Sequence, residues 1–306
     1  MKQVLLGLLT AGLFLGVNSS AADKKIVFIA GPISHGPGEH EHRAGCLLLK
    51  SCLDGRPGVT SAVYSNGWPA DASAFDGAST VVIYSDGGGG HPFLQADRLK
   101  TIGALMDQGV GLVAIHYAVE PTKEKGQNDW LDWIGGAFEV NWSVNPHWDA
   151  DFKQLPKHPI TKGVNPFKIR DEWYFNMRFR DGSTGVTPIL SAIPDGSTTN
   201  RNDGPHEGNP AVRGIVGRGE PVTVAWAATR ANGGRGFGFT GAHFHRNWAN
   251  DDFRKLVLNA ILWTAKAKIP VDGVASTVTE EDMKANLDLK PGQGLPEKPK
   301  AGKKVK

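Results

Sequence analysis

The chain has 306 residues, of which 40% are hydrophobic and 21% are charged, and its formal net charge is +3. This length and apolar content predict one domain with a sizeable α/β core. Lysines near the C-terminus supply much of the small positive charge, so the rest of the chain lacks the basic surface of a nucleic-acid-binding protein.

The N-terminal residues have the pattern of a secretory signal. Lys2 precedes an apolar run over residues 4–17, and small residues follow up to Ala22. The run is shorter than the roughly 18 to 20 apolar residues that span a bilayer, so a retained membrane helix is the weaker alternative. We predict a signal peptide over residues 1–22, cleavage near Ala22, no integral membrane span, and a periplasmic or secreted protein.

Short, apolar, β-branched segments alternate with helical patterns in the first part of the chain. The first of these segments ends at Gly31-Pro32, which is typical of a strand buried on both faces of a parallel sheet. The alternation indicates a doubly wound, mostly parallel sheet with right-handed crossovers. We predict strands over residues 26–30, 59–65, 80–85 and 112–116, and helices over residues 41–53 and 94–108.

The pattern changes after residue 116. An irregular stretch rich in Trp, Gly and Pro follows, and the strand-like runs beyond it indicate an antiparallel extension with hairpins. We predict such runs over residues 187–193, 215–216 and 222–227, then a core strand over residues 236–243 and a helix that begins near Asn250.

The last part of the chain, residues 271–306, is predicted to be a C-terminal extension. After residue 290 it is rich in Pro, Gly and Lys and has hardly any bulky apolar side chain. Such a segment cannot bury enough surface to offset its ordering entropy, so we expect it to be largely disordered there.

Histidines and acids cluster in segments that directly follow predicted strands. Ligands of an open parallel sheet bind beyond the carboxyl ends of the strands, and seven of the ten histidines lie in these segments. His116 is the most informative, because a polar ring at the end of a buried strand is costly without a partner. For His40, His42 and His91 a structural role is the favoured interpretation. The segments are residues 34–42, 86–92, 116–117 and 243–248.

Five short motifs contain most of these residues. They are His-Gly-Pro-Gly-Glu-His-Glu at 35–41, Ala-Ile-His-Tyr-Ala at 114–118, His-Pro-Ile at 158–160, Asp-Glu-Trp-Tyr at 171–174 and Gly-Ala-His-Phe-His-Arg-Asn-Trp at 241–248. Together they resemble the trehalose-utilisation (ThuA-like) family over roughly residues 25–268. The resemblance implies a ThuA-like domain over residues 23–270 and a role in sugar utilisation. The implied fold is similar to class I glutamine amidotransferases, a flavodoxin-like sheet with helices on both faces.

Glutaminase chemistry is not expected. His116 stands where the amidotransferases carry their nucleophilic cysteine, at the turn from a strand to a helix. Asn247 stands where they carry the glutamate that orients their catalytic histidine. The chain therefore lacks both an activated thiolate and the orienting carboxylate.

The remaining polar groups are imidazoles and carboxylates, and two mechanisms fit them. The predicted catalytic residues are His116, His243, His245 and Glu172. In one mechanism these four residues bind a divalent metal, with zinc preferred; His243 and His245 would lie on the same face of one strand. In the other mechanism a histidine and a glutamate act as base and acid without a metal. No nucleotide cofactor is expected, because the tetraglycine segment lacks the ending of a P-loop.

Nine further residues are expected to contact substrate, because they belong to the strand-end segments or lie beside the motifs. They are His35, Glu39, Asp86, Gly88, Tyr117, Trp148, Tyr174, Arg246 and Trp248. The leading hypothesis is an exported hydrolase, lyase or isomerase whose partner is a small-molecule carbohydrate, such as an oxidised or keto-disaccharide. The alternative is a non-catalytic sugar-binding protein that kept an amidotransferase-like fold and lost its nucleophile.

Overall fold

A computed structural model describes residues 23–290 of the chain. The predicted signal peptide over residues 1–22 and the tail after residue 290 lie outside the described residues. The predictions for these two segments therefore stay predictions.

Strands and helices alternate along most of the described chain. Its strands are β1 (Lys24–Ala30), β2 (Val59–Tyr64), β3 (Ala78–Tyr84), β4 (Gly111–Ile115), β5 (Gly136–Ala137), β6 (His147–Phe152), β7 (Phe167–Glu172), β8 (Arg178–Phe179), β9 (Val186–Ala192), β10 (Val222–Thr229) and β11 (Arg235–Phe239). Its α-helices are α1 (His42–Ser51), α2 (Arg98–Asp107), α3 (Gln127–Trp133), α4 (Pro210–Gly217), α5 (Asp251–Thr264) and α6 (Glu280–Lys284).

A seven-stranded sheet forms the centre of the fold, in the spatial order β2-β1-β3-β4-β11-β10-β9. The five strands from β2 to β11 are parallel, whereas β10 runs antiparallel to β11, and β9 runs antiparallel to β10. The carboxyl ends of β1, β3, β4 and β11 therefore meet at one edge of the sheet. The predicted fold class, a mostly parallel sheet with an antiparallel extension, is confirmed.

Both faces of the sheet are covered by apolar layers. On β1, Ile26 and Phe28 point to one layer, which includes side chains of α1 and α5. Val27 and Ile29 point to the other layer, which includes side chains of α2 and α3. Successive residues of a strand face opposite sides, so a continuous apolar run is required when helices cover both faces.

Two predicted strands differ from the structure. Residues 215–216 belong to α4, because the Asn209 side chain accepts a hydrogen bond from the Val212 N–H group at 3.0 Å and Pro210 occupies the first turn. The last core strand ends at Phe239 instead of residue 243. Ala242 beyond it has a φ of 82°, which takes the chain out of the extended conformation.

The stretch predicted to be irregular contains a hairpin of β6 and β7. In β6, exposed and buried residues alternate, which is the pattern of a strand with one face in the core. The antiparallel register places His147 opposite Glu172. The hairpin therefore delivers a carboxylate at the end of β7.

The extension after α5 packs back onto the domain as far as Lys290, which is buried. Within it, α6 begins with a capping box in which Thr279 and Asp282 satisfy each other's backbone N–H groups. Among the helices of residues 23–290, none combines the length and the apolar character needed to cross a membrane.

Candidate functional site

His116 follows the last residue of β4 and begins a 3-10 turn. Its φ of 58° lies in the left-handed region, which is unfavourable for a residue with a side chain unless its surroundings hold it. The Nδ1 atom of the buried ring lies 2.7 Å from the carbonyl oxygen of Thr240, which can only accept. Nδ1–H therefore donates to Thr240, and Nε2 faces the site.

His40 is buried at the centre of the site. Its Nδ1 atom lies 2.6 Å from Oδ1 of Asp86, which follows β3. Its Nε2 atom lies 3.1 Å from Nε2 of His116 and 3.0 Å from Nδ1 of His243. Burial lowers the pKa of His40 to about 2, against the opposing hydrogen bond to Asp86, so the ring is neutral at neutral pH. A neutral ring that donates from Nδ1 carries its lone pair at Nε2.

Glu172 ends β7 and faces two of these histidines. Its Oε2 atom lies 3.2 Å from Nδ1 of His243 and 3.4 Å from Nε2 of His116. Burial raises the pKa of Glu172, but its hydrogen bonds to the two histidines outweigh burial, and the pKa is lowered. Burial likewise lowers the pKa of His243, but the hydrogen bond and charge of Glu172 outweigh it, and that pKa is raised. Both shifts show that positive charge is favoured beside this carboxylate.

Asp171 holds the turn that carries His243. This fully buried carboxylate accepts hydrogen bonds from the backbone N–H groups of Ala242 at 2.6 Å and His243 at 3.1 Å. β11 has already ended, so these N–H groups have no partner in the sheet ladder and need another acceptor. Asp171 thereby joins the end of β7 to the turn after β11, which sets the position of His243 relative to Glu172.

Four potential metal ligands converge at this edge of the sheet. One ligand atom from each of His40, His116, His243 and Glu172 lies within 4.8 Å of the other three. Four of the separations lie between 3.0 and 3.4 Å. Ligands about 2.0–2.1 Å from a tetrahedral metal are separated by about 3.3 Å, so these four separations are of the size found between metal ligands. We call these four residues the His3Glu group.

The outward-facing nitrogens of the three rings each have an oxygen partner. Nδ1 of His40 faces Asp86, Nδ1 of His116 faces the Thr240 carbonyl, and Nε2 of His243 lies 3.5 Å from Oε1 of Glu39. Metal-binding histidines almost always donate their other ring N–H group to a carboxylate or a carbonyl in this way. The donor set and its surroundings therefore suit a divalent cation.

The sequence profile of the family described as trehalose utilisation (ThuA) matches residues 63–264 of the chain. The protein belongs to the ThuA family. A ThuA-like protein of Bacteroides uniformis ATCC 8492 is 15% identical with a TM-score of 0.59, over 81% of this chain and 94% of its own. A ThuA-like protein of Parabacteroides merdae ATCC 43184 is 14% identical with a TM-score of 0.54, over 85% of this chain and 99% of its own. At these identities the likeness shows the fold alone. No functionally curated protein matches the chain.

Three members of the His3Glu group lie inside the part of this ThuA-family protein that matches the profile. These are His116, Glu172 and His243. The fourth member, His40, precedes residue 63. The profile match therefore does not cover the complete site.

A cavity of about 300 Å³ lies beside the His3Glu group. Of the predicted substrate-binding residues, His35, Tyr117 and Tyr174 line it together with Glu172. Tyr117 and Gly88 also line a second cavity of about 620 Å³. The two cavities share Tyr117, which makes them neighbours. Asp86 acts on the site through its hydrogen bond to His40.

Glu39 and Arg246 lie on another side of the group. Both line a separate cavity of about 470 Å³ between the turn after β11 and α6. The Arg246 guanidinium stacks over the ring of Phe244 at 3.8 Å. The predicted substrate-binding residues are thus divided between different cavities.

The two tryptophans that are predicted to contact substrate lie in the core. Trp148 and Trp248 are both 0% exposed, so neither has a free face for a ligand. The Trp148 indole N–H donates to the carbonyl oxygen of Trp173, and Trp248 packs against Phe253. The structure does not bring these two side chains to the site, because neighbouring motifs in the sequence do not reveal which face of an element is buried.

His245 is not in the His3Glu group. The expectation that His243 and His245 share one face of a strand is wrong, because β11 ends at Phe239 and His245 begins a 3-10 turn. Its backbone N–H donates to the Gly38 carbonyl, and its buried ring lines the cavity beside α6. His40 occupies the place that had been predicted for His245.

His206 and Glu120 are further site residues that the sequence pattern did not identify. Nε2 of His206 lies 2.9 Å from a carboxylate oxygen of the buried Glu120, and this hydrogen bond raises the pKa of His206. His206 lines both cavities beside Tyr117. It comes from an irregular loop between β9 and α4, which carries no periodic signal.

Proposed function

We propose that this protein is an exported, carbohydrate-active enzyme whose His3Glu group binds a divalent metal, with zinc the best fit. Its substrate would be a neutral sugar with a reactive carbonyl, such as a keto-disaccharide. Membership of a family described as trehalose utilisation supports a sugar-related role. The predicted signal peptide supports export.

The observation that carries the metal proposal is the contact between His40 and His116. Their Nε2 atoms are 3.1 Å apart, and each ring uses its Nδ1–H group elsewhere. A cation between these two nitrogens, either a shared proton or a metal ion, removes the repulsion between their lone pairs, and a metal ion can also take His243 and Glu172 as ligands. Three imidazole nitrogens and one carboxylate oxygen are ligands of the kinds that zinc binds in proteins.

A bound divalent metal would polarise a carbonyl or lower the pKa of a bound water. The residues around the group would orient the substrate. The Tyr174 hydroxyl lies 3.2 Å from Nε2 of His116 and 3.3 Å from Oε2 of Glu172, and burial raises its pKa well above the ordinary value. Tyr174 therefore stays protonated, and its O–H group donates to Glu172 at the edge of the cavity. Asn145 donates to the other oxygen of Glu172 at 3.0 Å, which fixes the carboxylate.

The charges around the second cavity support a neutral, hydroxyl-rich substrate. Glu120 pairs with His206, and the carboxylate of Glu139 pairs with Arg178 at 3.0 Å and Lys123 at 3.3 Å. These paired groups offer both donors and acceptors, as sugar hydroxyls require, and leave little excess charge for an anion. The two neighbouring cavities, of about 300 and 620 Å³, have the size of small-molecule sites and leave room for more than one sugar ring.

Metal analysis of the purified full chain tests the metal centre. We expect about one zinc ion per chain in the wild type, and little in His40→Ala or His116→Ala. His158→Asn is the matched control, because His158 lies outside the group and asparagine can keep its capping bond to the Ile160 N–H group. If the wild-type protein contains no bound metal after incubation with zinc, the proposed metal centre is overturned.

Turnover of a keto-disaccharide and of its unoxidised parent tests the activity. We expect the metal-loaded wild type to convert the keto form, the parent sugar to react far more slowly, and His116→Ala to lose activity. Binding without turnover by the loaded wild type would favour the sugar-binding alternative. Turnover that survives complete removal of metal would favour metal-free acid/base chemistry.

A further inference from the structure

Lys290, at the end of the described C-terminal extension, reaches the backbone of the loop that carries His40. Its side chain is fully buried, and its ammonium group donates to the carbonyl oxygens of Ser34, Glu39 at 3.0 Å and His40 at 3.3 Å. A lysine ammonium has three donors and no acceptor, so three carbonyls satisfy it. A buried ammonium needs such partners, because removing it from water is costly.

Glu41 provides a second link between the same two segments. This carboxylate is 1% exposed and accepts hydrogen bonds from the N–H groups of Gly38 at 3.0 Å and Asp288 at 2.9 Å. One of its oxygens lies 3.9 Å from the Lys290 ammonium. The extension and the histidine loop, residues 34–41, are therefore joined by a buried ion pair and its hydrogen bonds.

The histidine loop needs such external support. His35 and His40 have φ values of 56° and 44°, in the left-handed region that is unfavourable for residues with side chains. His40 in turn contributes the central imidazole of the His3Glu group. Both the loop and Lys290 lie outside residues 63–264, which the family profile matches.

We propose that Lys290 is a positioning residue for the metal centre. By holding the carbonyl groups of Glu39 and His40, it keeps Nε2 of His40 at ligand distance from the other members of the His3Glu group. The C-terminal extension is then a part of the site, and the isolated ThuA-matching region is not sufficient for full metal affinity. This inference rests on the proposed metal centre.

The test compares the Zn2+ affinity of full-length variants by chelator competition. Lys290→Met keeps the approximate length of the side chain and removes its charge. We expect roughly 10- to 100-fold weaker Zn2+ binding, the loss typical when a group that orients a metal ligand is removed. Lys284→Met is the matched control on the same extension, because Lys284 is exposed and its ion pair is with Glu280, away from the histidine loop. We expect its affinity to equal that of the wild type.

A double variant separates positioning from general loss of structure. If Lys290 acts through His40, Lys290→Met should weaken binding in the wild type but have no further effect in His40→Ala. Equal metal affinity of Lys290→Met and wild type, or a full additional loss in the His40→Ala background, would overturn the inference. A wild type that binds no Zn2+ would instead overturn the metal centre itself.

Glu41→Gln keeps the test decisive if Lys290→Met does not fold. Glutamine has nearly the shape of glutamate and keeps one acceptor oxygen, but it removes the charge beside Lys290. We expect weaker Zn2+ binding in the same direction, with the apo protein still folded by circular dichroism. Unchanged Zn2+ affinity in folded Glu41→Gln would contradict a role for this link.

Discussion

At the scale of single residues, Asp171 holds the turn that positions His243 in the site. It is buried, and its carboxylate satisfies backbone N–H groups of Ala242 and His243 in the turn after β11. Replacing it with asparagine removes the charge and one acceptor, which leaves buried N–H groups without a partner. We expect Asp171→Asn to lower the free energy of unfolding by about 2–4 kcal/mol in urea titrations.

Asp149 offers the matched control for Asp171. It lies in the same hairpin, but its ion pair with Arg170 is exposed to solvent on both sides. Exposed pairs contribute little, so Asp149→Asn should change the free energy of unfolding by less than about 1 kcal/mol. Equal losses in the two variants would show that the turn does not depend on Asp171.

His245 is predicted to contribute to the acid sensitivity of the fold and not to bind metal. Burial lowers its pKa to about 4, against a smaller opposing contribution from the Met283 backbone, whereas the ring in the unfolded chain titrates near its ordinary value of about 6.5. The unfolded chain therefore binds a proton first as the pH falls. The contribution of the neutral His245 ring to the free energy of unfolding is complete above about pH 6.5 and is lost as the pH falls to about 4. This loss is on the order of 3 kcal/mol.

The measurement is the pH dependence of unfolding in wild type and His245→Gln. Glutamine cannot titrate in this range, so its unfolding free energy should fall less between pH 6.5 and pH 4. Zinc content should be the same in both proteins at pH 7. A loss of zinc in His245→Gln would restore the original prediction that His245 is a ligand.

Individual site residues were predictable to different degrees. His116 could be identified because it ends an apolar, β-branched run, where a polar ring is costly without a partner. His40 could not be distinguished from its neighbours, because the loop has no period and its φ of 44° is not visible in the sequence. The exclusion of Trp148 and Trp248 required the burial that only packing reveals.

At the scale of elements, α4 shows how a cap can decide between helix and strand. The apolar pair at residues 215–216 was compatible with either, but the Asn209 side chain caps the helix at the Val212 N–H group. Asn209 also donates to the Trp142 carbonyl at 2.9 Å. We expect Asn209→Ala to cost about 1–2 kcal/mol in thermal unfolding, and Asn209→Asp to cost less, because aspartate retains the cap.

The hairpin of β6 and β7 is an element that the sequence does indicate, but weakly. His147 to Phe152 alternates polar and apolar residues, and the structure alternates exposed and buried positions in the same order. Tryptophans and prolines around the segment obscured this period of two. The helices and parallel strands were easier to predict, because longer apolar patterns with glycine or asparagine at their ends mark them.

At the scale of the whole molecule, the export prediction can be tested directly. Expressed in a bacterial host, the mature protein should be recovered from the periplasm or medium with Asp23 as its first residue, because the small-residue site ends at Ala22. N-terminal sequencing gives the answer. Ala22→Trp should retain the precursor, since cleavage requires a small residue there. A wild-type protein that starts at Met1 would contradict the prediction.

Local sequence patterns predict the fold class, most of the parallel strands and the edge of the sheet where the candidate site lies. These features follow from periodicity and from the rule that strand ends carry the ligand-binding loops. The packing of the folded chain is needed to show that His40 lies with His116, His243 and Glu172, that His245 does not, and that Lys290 contacts the loop. Those contacts join residues far apart in the chain, and packing between elements, not local pattern, sets their distances.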